Sequence, residues 1–112
     1  MLTREQILAA NDMEYGEVDV PEWGGKVRIR TISSKARQDF QKMVGKDGKV
    51  APDFMENLVV AAVCNEEGKP IFTPADVKAL SEKSSIVIDR IFTEVCRLNG
   101  LSQEGRDEIK GE

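Results

Sequence analysis

Residues 17–30 constrain the fold of this chain most strongly: two short runs of alternating polarity face each other across a connection rich in proline and glycine. Successive side chains of a strand point to opposite faces. In the first run, Tyr15 to Val20, Val18 and Val20 fall on one side and Glu17 and Asp19 on the other. In the second, Lys26 to Ile32, Val27, Ile29 and Thr31 share one face and Lys26, Arg28 and Arg30 the opposite one. Pairing the runs as an antiparallel hairpin sets acids against bases and leaves one aliphatic face free to cover a helical body. The connection, Pro21 to Gly25, is longer than a two-residue turn, so Trp23 is placed to fold back over that aliphatic face.

Almost everything else has helical periodicity. Thr3 and Gln6 have the spacing of a capping box for a short helix carrying Ile7, Leu8 and Ala9, which Asn11-Asp12 ends. Ser33 or Ser34 caps a second helix with a stripe of Ala36, Phe40, Met43 and Val44, closed by the exposed loop Gly45 to Lys49. A third helix is predicted from about Asp53 to Cys64, apolar nearly all round and therefore central to the packing or partly in a subunit interface. Asn65 to Pro70 is a turn, and Ile71-Phe72 is too short to claim as a strand. Thr73-Pro74-Ala75-Asp76 starts a brief helix, with Pro at the first helical position and Asp accepting from free amides. The longest helix begins at Ser81 or Ser84, carries Ile88, Ile91, Phe92, Val95, Cys96 and Leu98, and ends at Asn99-Gly100. The polar tail, 102–112, is expected to fray. The expected class is α+β: a predominantly helical single domain over residues 1–112 with an N-terminal antiparallel β-hairpin.

Composition narrows the function. The formal charge is −4 with no histidine, and residues 1–50 hold 9 bases and 8 acids against 7 and 12 in residues 51–112. Without histidine the chain lacks the side chain that titrates nearest neutral pH, and Glu66-Glu67 and Glu14/Glu17 sit in turn-like or solvated settings, so no catalytic centre is expected. Asp47-Gly48 and Glu66-Glu67-Gly68 lack the alternating oxygen ligands and distal Glu of a calcium loop, and Gly45 to Lys49 lacks phosphate-loop spacing. Neither a metal nor another cofactor is implied. Cys64 and Cys96, isolated in apolar runs, fit a reducing compartment. No signal-like apolar stretch opens the chain and no run approaches the roughly 20 apolar residues of a membrane span, so a soluble cytoplasmic protein is expected.

Three surfaces qualify for partner binding. Lys26, Arg28, Arg30, Lys35 and Arg37 form a basic patch that is a solvated structural face, a dock for an acidic protein surface, or a phosphate contact; Glu17 and Asp19 weaken the last, making nucleic acid an unfavoured partner. Trp23 is either a cap over the domain's own core or an anchor in a partner's pocket. Ile86, Val87 and Ile91 widen the apolar arc of the last helix, where a homo-oligomer or partner groove would lie.

The opening Met1-Leu2-Thr3-Arg4-Glu5-Gln6-Ile7-Leu8, the turn Val18-Asp19-Val20-Pro21-Glu22-Trp23-Gly24-Gly25, the stretch Phe72 to Leu80 and the end Ile91 to Ser102 together resemble the tail assembly chaperones of long-tailed bacteriophages. The resemblance covers most of the chain, least clearly at Gly45 to Pro52. It implies a non-enzymatic protein of the host cytoplasm, absent from the mature virion, that binds and solubilises the tape measure protein and helps tail-tube subunits assemble around it. It further implies the major tail-tube protein and a longer frameshifted form of the chain as partners, homo-oligomeric assembly, and no family active site to carry over. Two alternatives stand beside it: a structural head-tail or tail-completion subunit, and a small DNA-binding regulator using Lys26, Arg28 and Arg30.

Overall fold

The fold is given by a computed structural model that describes residues 1–101. Three antiparallel strands and five helices form an α+β domain, and the expected frayed tail lies outside the described residues. In chain order they are α1 (Arg4–Ala9), β1 (Tyr15–Val20), β2 (Gly25–Arg30), α2 (Ser34–Lys42), α3 (Phe54–Ala62), β3 (Val63–Cys64), α4 (Val77–Ser81) and α5 (Ser85–Leu98). Short 3₁₀ turns, Pro21–Trp23 and Pro74–Asp76, join β1 to β2 and lead into α4.

The hairpin has the register that its alternation predicts. Val18 opposes Val27, Glu17 opposes Arg28 and Asp19 opposes Lys26. Val18, Val20 and Ile29 are buried, and α5 packs across β1 and β2 on one side and against α3 on the other. From α3 come Leu58, Val59 and Ala62, and from α5 Ile88, Ile91, Phe92 and Val95, all in one hydrophobic cluster with the strands. Phe40 of α2 stacks on Phe54 of α3 with centroids 4.3 Å apart, and Phe92 stands 5.8 Å from Phe54, which ties α2 to the central pair.

The third predicted helix stops early. Its last two predicted residues, Val63 and Cys64, leave the helix and pair antiparallel with β2, Ile29 opposite Val63 and Arg28 opposite Cys64. β-branched Val63 suits an extended backbone, and the move gives β2 backbone partners on both edges. The following turn, 65–69, closes through Asn65, whose side-chain oxygen accepts from the Glu67 and Lys69 amides at 2.8 and 3.0 Å. Here Gly68 is buried at φ 83°, against the Tyr15 ring, and a Cβ on it would stand 2.5 Å from the Tyr15 hydroxyl.

Asn99 does more than end α5. It is the one buried polar residue among those described. Its amide oxygen accepts from the Ile32 N–H at 2.7 Å, and its amide nitrogen donates to the carbonyls of Val95 at 2.9 Å and Arg30 at 3.4 Å. The end of α5 is thereby latched to the exit of β2, and the Ile32 N–H gains an acceptor.

Two stability outcomes follow. Asn99→Ala strands the Ile32 amide in a buried setting and is expected to lower unfolding free energy by roughly 1–3 kcal/mol, measured by urea titration. Gly24→Ala, at φ 80° in open space, carries only the left-handed backbone cost of about 1–2 kcal/mol. Gly68→Ala adds the collision with Tyr15, so its loss is expected to be clearly the larger of the two in the same titration.

Candidate partner-binding surface

The outer face of the hairpin carries Lys26, Arg28 and Arg30 of the basic patch, read from sequence as a solvated face, a protein dock or a phosphate contact. Turn 65–69 covers one end of that face, leaving Arg28 and Arg30 half-buried. The Arg28 guanidinium lies 4.4 Å from the centroid of the Tyr15 ring, a cation–π arrangement, and Arg30 donates to the Gly68 carbonyl at 3.0 Å. Lys26 remains exposed, 3.6 Å from Glu17 and 4.0 Å from Asp19. Lys35 pairs with Asp39 at 3.4 Å one helical turn on, and Arg37 donates to the Asn99 carbonyl at 3.1 Å. Each of the five cations is thus engaged inside the chain. A duplex backbone needs several accessible, uncompensated cations to release counterions, and these bases are already engaged by acids, carbonyls or an aromatic ring. The arginines were visible in the sequence; their partners, a tyrosine ring and two backbone carbonyls, carry no charge signal that could have announced them.

Ile86, Val87 and Ile91 do not come together on one surface. Val87 and Ile91 point into the core at 1% and 0% exposure, while Ile86 stands in solvent at 70%. The broad arc on α5 exists because the helix is packed on two sides, by α3 and by the hairpin, so its width reports burial within the chain.

Trp23 is the predicted site residue that the structure brings to a concave surface. It sits at the end of the 3₁₀ turn, 39% exposed. With Phe72, Ala79 and Leu80 it lines a groove of about 260 Å³, and Asp76 and Lys83 give the rim one charge of each sign. The turn is clamped: Arg90 of α5 donates two hydrogen bonds to the Glu22 carboxylate, both at 2.7 Å. Hydrogen bonding to that guanidinium holds the Glu22 pKa down from 4.5 to about 2. Sequence reasoning passed over this pair, since 68 residues separate its members and no local pattern links them.

A second groove, about 250 Å³, runs between α2 and α3. Phe40, Met43, Leu58 and Ala61 supply its apolar lining, Pro74 closes one side, and Asp39 stands among the lining residues. Among the described residues no cluster of three or more His, Cys, Asp or Glu could hold a metal ion, Cys64 and Cys96 are buried, and no helix is long and apolar enough to cross a membrane.

The clamp makes a pH prediction whose sign is fixed by Glu22. Its folded pKa lies below the ordinary value, so its contribution to stability is complete above about pH 4.5 and is lost as pH falls toward about 2. Glu22→Gln is expected to be less stable than the parent at neutral pH, with the gap closing on acidification in parallel urea titrations. A gap constant with pH would show that the ion pair contributes nothing.

Comparison with known proteins adds identity to this geometry. A search of curated protein sequences finds no match. Among solved structures, the tail assembly chaperone of bacteriophage HK97 superposes with a TM-score of 0.63 at 24% identity, covering 84% of this chain and 90% of that one, which establishes a shared fold. The family model for phage tail assembly chaperones matches residues 3–111, nearly the whole sequence, and the chain belongs to that family.

Proposed function

We propose that this chain is a non-enzymatic chaperone of the infected host's cytoplasm that binds the tape measure protein, keeps it soluble, and releases it as tail-tube subunits assemble. Family membership over residues 3–111 carries this reading. The groove beside Trp23 supports it physically: an apolar floor of Trp23, Phe72, Ala79 and Leu80 with opposite charges on its rim suits the apolar stripe of an amphipathic helix. One groove of this size shields only a few side chains, so a long helical client calls for many copies along its length. The major tail-tube protein and a longer frameshifted form of this chain are the further partners, and the chain itself leaves before the particle is complete.

Co-expression tests the assignment. Tape measure protein made with the wild-type chain is expected in the soluble fraction, and made alone in the pellet. Trp23→Ala, which removes the largest aromatic from the groove, is expected to lower the soluble fraction severalfold while leaving the chaperone's own unfolding profile nearly unchanged. Equal solubility of the tape measure protein with and without the chain sinks the assignment. Mass spectrometry of purified virions is expected to find none of this chain, and its stable presence there would make it a structural tail subunit instead.

A further inference from the structure

β1 is an outer strand of the sheet: it pairs with β2 on one side, and among the described residues no backbone group pairs with the other. Alternation says which groups face that open side. The Thr31 N–H donates to the Glu14 carbonyl at 2.9 Å, so these two are a hydrogen-bonded pair, and along an antiparallel ladder every second pair repeats the pattern. Gly16, Val18 and Val20 therefore turn their backbone groups to β2, while those of Tyr15, Glu17 and Asp19 point away from it. Arg90 of α5 reaches the Asp19 carbonyl at 3.5 Å, which agrees with that direction and closes the edge at that end. An open edge is a template for a further strand, and proteins commonly blunt it with a bulge, a proline or a lysine. β1 has none of these, and its six residues run in unbroken register with β2. It carries two acids instead. The Glu17 and Asp19 side chains are 58% and 80% exposed, and the base that pairs with both, Lys26, comes from the β2 side.

From the open edge and its charge we infer that β1 accepts an extended basic segment of a different protein as a fourth, antiparallel strand. A lysine or arginine opposite Glu17 and another opposite Asp19 lie on the free side of the acids, so that bases flank them from both neighbouring strands. The residues between, opposite Gly16 and Val18, fall on the inner face, where β-branched side chains continue the aliphatic surface. Charge also decides against a second copy of this chain. Two β1 edges brought together set acids against acids, and the chain's own basic strand, β2, already lies between β1 and β3. What is recognised is backbone and alternating charge, not an apolar stripe, so the contact differs from the groove beside Trp23 and stands without the chaperone assignment.

A capped Thr-Lys-Val-Lys-Val-Thr peptide, titrated into the full chain labelled with nitrogen-15 and followed by NMR, tests this. The amides of Tyr15, Glu17 and Asp19 are expected to gain protection from hydrogen exchange on saturation, while those of Gly16 and Val18, bonded to β2 already, change little. N-methylation of the two lysines, whose amides face β1 in this register, is expected to weaken binding at least about tenfold, and N-methylation of the two valines to leave it within about twofold. Glu17→Lys with Asp19→Lys is expected to lose the lysine peptide by a similar factor and to take up Thr-Glu-Val-Glu-Val-Thr; should that variant unfold, the N-methylated peptides decide alone on the wild-type chain. A Tyr-Gly-Glu-Val-Asp-Val peptide, standing for β1 of a second copy, is expected not to bind. No binding of the lysine peptide, equal binding of its glutamate counterpart to the wild type, binding of the β1 peptide in its stead, or binding without protection at Tyr15 and Glu17 overturns the proposal.

Discussion

Val18 opposite Val27 is the pairing from which the rest of the molecule takes its orientation. A strand register displaced by one residue exchanges the two faces completely, so this single alignment decides that Val18, Val20 and Ile29 meet α5 while Glu17, Asp19, Lys26 and Arg28 turn outward. α5 lies across that aliphatic face and against α3. The 3₁₀ turn at the hairpin's end then falls beside Arg90, and β2 falls where Val63 and Cys64 can add a third strand. The groove beside Trp23 thus inherits its position from the alignment of the two strands that its turn joins.

The hairpin and most helices were legible in the sequence because their periodicities are unambiguous and their ends are marked. Thr3 and Ser33 accept from amides of their first turns, and Asp76 accepts from the Thr73 amide. Val63-Cys64 was illegible for a definite reason: two apolar residues after an apolar helix have no period of their own, and only the free edge of β2 draws them into extended backbone. The basic patch was half legible. Alternation put Lys26, Arg28 and Arg30 on one face, but the tyrosine and glycine that absorb the arginines come from Tyr15 and from Gly68, and no local pattern links these.

The candidate site followed the same division. Trp23 stood out as a lone tryptophan beside two glycines, and it does line a groove. Its companions Phe72, Ala79 and Leu80 lie some fifty residues on, and Glu22 is fixed by an arginine further still. Ile86, Val87 and Ile91 show the converse error. A wide apolar arc means two neighbours, and here both belong to the same chain, leaving Ile86 alone outside. Asn99 shows how much a capping residue can conceal: it has the sequence signature of a helix end, and its buried amide also joins the two halves of the fold.

The pairing of Arg90 with Glu22 gives the Trp23 groove an unusual relation to ionic strength. Both side chains are partly open to water, at 34% and 46% exposure, so dissolved ions screen their attraction. Apolar contact, by contrast, is strengthened by strongly hydrated salts such as sulfate and phosphate. Rising salt of that kind therefore loosens the frame of the groove while raising the cost of leaving its apolar floor in water.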